Sequence, residues 1–127
     1  MAFEIYTPKK GGCTVSFAEY GLTFNKEAVD ALNDPAYISI YTDPDMKMVL
    51  VKVAQKEDEF SFKFNKAENK TYVRINNKGF IRHVKTLVPD LDLTKSTLFY
   101  AMWDKAHGGL LIDLNSKQAE QEVEDNE

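Results

Sequence analysis

At 127 residues, 43% hydrophobic and 12% aromatic, the chain is long enough to bury one core and is read as one domain. No apolar run approaches the ~18 residues of a membrane span, and the opening MAFEIYTPKKGG has no apolar h-region, so neither a membrane partner nor a signal peptide is expected. The single cysteine, Cys13, excludes an intrachain disulfide and fits a reducing, cytoplasmic setting.

A net charge of −4 conceals an uneven distribution. Lys63, Lys66, Lys70, Arg74, Lys78, Arg82 and Lys85 share their stretch of sequence with one carboxylate, Glu68. Glu120, Glu122, Glu124, Asp125 and Glu127 crowd the C-terminus around Lys117. A basic central third inside an acidic chain points to a polyanionic partner.

In chain order, Phe3 and Ile5 suggest a short first strand, followed by the connector Pro8-Lys9-Lys10-Gly11-Gly12. Val15 and Phe17, then Leu22 and Phe24, alternate around Ala18-Glu19-Tyr20-Gly21 as a β-hairpin with glycine in its turn. Asn25 stands where a helix N-cap belongs, Glu27 suits the first turn, and Ala28, Val29 and Leu32 supply an apolar face. Asp34-Pro35 stops that helix, since the residue before proline is pushed out of the α region. Tyr37 to Thr42 and Met48 to Val53 read as strands flanking an Asp43-Pro44-Asp45 turn.

The second half runs in a similar order. Phe60, Phe62 and Phe64 alternate as a strand with one strongly buried face, Lys66 to Asn69 turn, and Tyr72 to Ile75 return. Asn76 falls where Asn25 fell, before a short helix from about Asn77 to Val84 that buries Phe80, Ile81 or Val84. After a loop from Leu87 to Lys95, strands follow at Thr97 to Trp103 and Leu110 to Leu114 around a turn from Asp104 to Gly109. Trp103 is expected to pack and close the fold. Asp43 to Val53 matches Asp104 to Leu114 without a gap, and Thr23-Phe24-Asn25 falls on Arg74-Ile75-Asn76, which is a repeat of pattern with low identity.

The run Gly21-Leu22-Thr23-Phe24-Asn25-Lys26-Glu27-Ala28-Val29, followed by Tyr37-Ile38-Ser39-Ile40-Tyr41, Asp43 and Met48-Val49-Leu50, resembles the swapped-hairpin unit of AbrB and MazE. One-unit members of that family dimerise and interleave their hairpins into a barrel, so two units in one chain imply a monomeric pseudo-dimer, or a homodimer. The fold expected is mainly β with short helices (α+β). It is a swapped-hairpin-like β-barrel of two pseudo-repeated β-β-α-β-β units, 13–53 and 60–114. These lie in one domain spanning 1–116, with a disordered acidic tail at 117–127. The overall pattern also resembles small proteins of phages and prophages.

The resemblance implies DNA binding. The first unit offers Lys26 among Glu19, Glu27 and Asp30, whereas the second is basic. The expected nucleic-acid-binding residues are Lys63, Lys66, Lys70, Tyr72, Arg74, Asn76, Asn77, Lys78, Arg82 and Lys85. Lysines and arginines would neutralise phosphates, asparagine and arginine would reach base edges, and Tyr72 would stack.

No phosphate-cradling glycine loop, zinc-ligand cluster or nucleophile elbow is present, so no enzyme, catalytic residue, metal or cofactor is expected. Cys13, His83 and His107 are too few for a nucleophile or ligand set, and Asp43 and Asp45 lack the glycine and glutamate of a calcium loop. The function expected is a small DNA-binding regulator, phage- or prophage-encoded and acting in the host cytoplasm. The alternative is a protein-binding phage modulator that inhibits a host or defence enzyme, motivated by the overall acidity and the acidic tail.

Overall fold

The computed structural model describes residues 13–55, 60–66 and 69–122. The strand expected at Phe3 and Ile5, the lysine-glycine connector and the last tail residues lie outside them. The element order is β1 (Thr14–Ala18), β2 (Gly21–Phe24), α1 (Lys26–Ala31), β3 (Tyr37–Asp43), β4 (Met48–Ala54), β5 (Ser61–Lys63), β6 (Val73–Asn76), α2 (Lys78–Leu87), β7 (Lys95–Asp104) and β8 (Gly109–Glu122). All pairings are antiparallel, in one eight-stranded sheet ordered β5-β3-β4-β8-β7-β1-β2-β6. The chain is therefore mainly β with two short helices.

Alternation builds the core. Val15 and Phe17, Leu22 and Phe24, Val49 and Val51, Val73 and Ile75, Phe99 and Ala101, and Leu110, Ile112 and Leu114 all turn to the buried side of the sheet. Phe17 meets Phe99 edge to face at 5.3 Å between centroids. The sheet curls into a nearly closed barrel. Phe64, just beyond the edge strand β5, packs edge-on against Phe24 of β2, with centroids 5.0 Å apart. Ala28, Val29 and Leu32 of the first helical segment and Ile81 and Val84 of α2 enter the same core.

Helix α1 has six residues, too few to stand without packing. Asn25 fixes its start: the side-chain oxygen accepts from the Ala28 N–H at 2.9 Å and from the Thr14 N–H at 3.1 Å, tying the helix to β1. Its end is set by Asn33 and Asp34, both at positive φ (67° and 47°), where short polar side chains tolerate the left-handed region. Asn25→Ala is expected to cost about 1–2 kcal/mol in urea unfolding, and Asn25→Asp much less. Equal losses for both would show that the cap is not what holds this junction.

Several expectations are corrected. The strand β5 is only three residues long and begins after Phe60, which is 73% exposed, while Phe62 is half-buried and Phe64 alone is buried. The cap of α2 is Asn77, which accepts from the Phe80 N–H at 2.9 Å, while Asn76 remains the last residue of β6. Trp103 is 44% exposed at the end of β7 and does not close the barrel. The last strand does not stop at Leu114: backbone pairing continues to Glu122 opposite Lys95, so the first part of the tail expected to be disordered is strand. Ladder bonds involve only backbone groups, so a polar, acidic sequence can extend a sheet whenever a neighbouring strand offers unpaired donors and acceptors.

Candidate nucleic-acid interface

Strand β6 buries Val73 and Ile75, which sends Tyr72, Arg74 and Asn76 to the outer face. Arg74 lies opposite Thr23 of β2. Its guanidinium carbon is 5.0 Å from the centre of the Tyr20 ring and 5.6 Å from that of Tyr72, and the Lys70 ammonium is 6.0 Å from the Tyr72 centre. Lys70, Tyr72, Arg74 and Tyr20 thus form one cation–π array. Each such contact is worth about 0.5–1 kcal/mol at an exposed site and more when desolvated.

The neighbouring backbone places Tyr20 there. Gly21 pairs with Asn76, and the Asn77 N–H donates to the Tyr20 carbonyl at 2.9 Å, clamping the β1–β2 turn onto the start of α2. The Tyr20 hydroxyl is 3.0 Å from that of Thr23. Arg74 Nε is buried with no hydrogen-bond partner, and no ion pair engages the guanidinium among the described residues. An unsatisfied buried donor of this kind costs about 1–3 kcal/mol.

The other expected residues divide into three groups. Lys78 and Arg82 are exposed and one turn apart on α2, as i,i+4 neighbours on one face. Three residues are employed inside the fold: Asn77 by the cap, Lys66 by an ion pair with Asp34 at 3.3 Å, and Lys85 by donation to the Leu91 carbonyl. Lys63 is exposed on β5, at the far end of the strand order from β6, and Asn76 is exposed at the end of β6. Tyr20 was not among the expected residues. Its signal was only a tyrosine in a hairpin turn before glycine, and which strand pairs with that hairpin is not written in local sequence.

His83 Nε2 lies 3.3 Å from the Thr42 hydroxyl, linking α2 to β3. His107 Nδ1 pairs with Asp104 at 2.5 Å across the β7–β8 turn, and this hydrogen bond holds the Asp104 carboxyl below its ordinary range. Asp43 opens the β3–β4 turn in the same manner, accepting from the Asp45 and Met46 N–H groups at 3.1 Å. Both aspartates serve turn geometry. Among the described residues no group of three or more His, Cys, Asp or Glu is placed to hold a metal ion.

The molecule defined by these features is a small, mainly β protein with a nearly closed antiparallel sheet and a tyrosine-flanked cationic outer surface. No protein-family model, curated protein or solved structure matches the chain.

Proposed function

We propose that this protein binds DNA through the cationic outer surface of β6 and α2. One observation carries the reading. In a chain with 20 acidic residues, Lys70, Arg74, Lys78 and Arg82 make no ion pair among the described residues. Cations left unpaired amid so many carboxylates are available to neutralise phosphates, and their release of counterions would supply the affinity.

The finer architecture belongs to the same proposal: two interleaved β-β-α-β-β units in the swapped-hairpin manner. The element order supports it, as does the pairing, in which β1 joins β2 and β7 while its counterpart β5 joins β3, the counterpart of β7. Equivalent residues face each other only across a two-fold axis. Leu50 and Leu111, matched by aligning Asp43 to Val53 with Asp104 to Leu114, are direct partners. So are Thr23 and Arg74, matched in the other alignment. The two hairpin turns also agree, with Lys47 and Gly108 at φ 57° and 64°. The capping asparagines depart by one position, Asn25 against Asn77.

Fluorescence anisotropy with a labelled random duplex tests the function. Arg74→Glu with Arg82→Glu is expected to weaken binding by about a hundredfold at low salt and to flatten the salt slope by about two units. Binding and slope unchanged by the double reversal would remove DNA as the ligand of this surface.

A second reading has its own observation. Tyr41, Leu50, Leu111 and Met102 are register partners across β3, β4, β8 and β7 on the outer face. Tyr41 and Met102 are 53% and 72% exposed, and Tyr41, Met46, Met48, Leu50 and Leu111 line a groove of about 310 Å³. An apolar row of this kind suits a protein partner. Recovery of a stoichiometric partner by the wild type and its loss with Leu111→Glu would favour this reading over DNA.

A further inference from the structure

We infer that Arg74 is a preformed fork for a single phosphodiester group, so that this surface grips the nucleic-acid backbone and does not stack bases. The inference rests on the DNA-binding reading and specifies its chemistry. A guanidinium has two flat faces and an edge of N–H donors. Here both aromatic neighbours, Tyr20 and Tyr72, lie at cation–π distance from the guanidinium (5.0 and 5.6 Å), and Nε is buried. What remains for a ligand is the outward end of the group, whose terminal amino groups make no hydrogen bond within the described residues.

Such an edge matches two oxygens of a phosphate, side by side. The rings also hold the side chain in place, so little rotamer freedom is lost when the ligand arrives. Stacking is opposed by the same geometry. Tyr72 already has Arg74 and Lys70 at cation–π distance, and Tyr20 has Arg74, so a base stacking on these rings would compete with the cations. A second cation beside the fork, Lys70, adds attraction for the same anion without adding base readout.

The test uses the full chain, a random duplex, the matching single strand and polyglutamate of equal charge. Arg74→Lys keeps the charge and removes the fork. It is expected to weaken duplex and single strand by the same factor, about five- to tenfold. Tyr72→Leu removes the ring and should lose about as much as Arg74→Lys. In a ¹H–¹⁵N spectrum the Arg74 Nε–H signal, assigned by its loss in Arg74→Lys, should shift on adding duplex. Circular dichroism and melting confirm that each of these outer-face variants is folded.

Four results overturn the fork. If Arg74→Lys binds as wild type while Arg82→Glu weakens binding, the fork falls and the DNA reading stands. If Arg74→Lys weakens the single strand far more than the duplex, the site stacks bases. Displacement of the duplex by polyglutamate at equal charge would make it a general anion site. Wild-type protein that binds neither strand form removes both the fork and the reading beneath it.

Discussion

Gly21→Ala is expected to destabilise the protein by about 3 kcal/mol or more and to lower the melting temperature by about 10 °C or more. Gly21 sits at φ +153°, and a Cβ built there would lie 1.9 Å from the Ile75 carbonyl oxygen and 2.9 Å from the Asn77 nitrogen. Both obstacles are backbone, so no rotamer change relieves them. The β1–β2 hairpin would have to move off β6, breaking the Gly21–Asn76 pairing and the Asn77 to Tyr20 hydrogen bond. The same displacement would take Tyr20 away from Arg74, so duplex binding should weaken even at temperatures where the variant stays folded. Gly108 is the internal control: it has φ +64°, but no atom lies within 4 Å of the added Cβ. Gly108→Ala should therefore cost only the backbone penalty, about 1 kcal/mol. Urea unfolding of both variants decides the matter, and similar losses for the two would refute the close approach of β2 and β6.

Phe64→Ala is expected to cost about 3–5 kcal/mol. Phe64 is 1% exposed and lies edge-to-face on Phe24 at an interplanar angle of 79°. It does more than fill volume, because β5 and β2 stand near opposite ends of the strand order and this contact brings the sheet around on itself. Removing it leaves a cavity where the curled sheet meets itself, and the edge can relax only by opening the barrel. Phe62→Ala and Phe60→Ala should cost progressively less, following their half-buried and exposed positions. Hydrogen exchange gives a second measure: amides of β3 opposite β5 should exchange faster in Phe64→Ala than those of β8. A loss below about 1 kcal/mol would show that the barrel does not depend on this contact.

The basic residues and the aromatic ones were visible as composition, but their grouping was not. Charge counting along the chain treats Lys66, Lys85 and Arg74 alike. In the fold Lys66 is paired with Asp34, Lys85 serves the loop after α2, and Arg74 lies at cation–π distance from two rings with no ion-pair partner among the described residues. A sequence run records spacing along the chain, whereas electrostatic availability depends on which side chains reach one another across strands.

Local order was determined by the sequence itself. The alternation of Val15 and Phe17, Leu22 and Phe24, and Leu110, Ile112 and Leu114 specifies strands because side chains alternate faces with a period of two. Asn25 before Lys26 specifies a helix start, and Asp43 and Asp104 specify turns, because these side chains satisfy nearby backbone N–H groups. Only the tertiary structure decided how far each element extends and what it meets. Phe60 repeats the spacing of Phe64 yet is exposed where Phe64 is buried, Asn77 caps where Asn76 was expected, and the acidic residues up to Glu122 join the sheet. These outcomes turn on long-range pairing: the carbonyl of Tyr20 that receives Asn77, the stretch of β7 that receives the end of β8, and the ring of Phe24 that receives Phe64. Each partner lies far away in sequence, and contacts of that kind arise from closing the sheet, which no local propensity encodes.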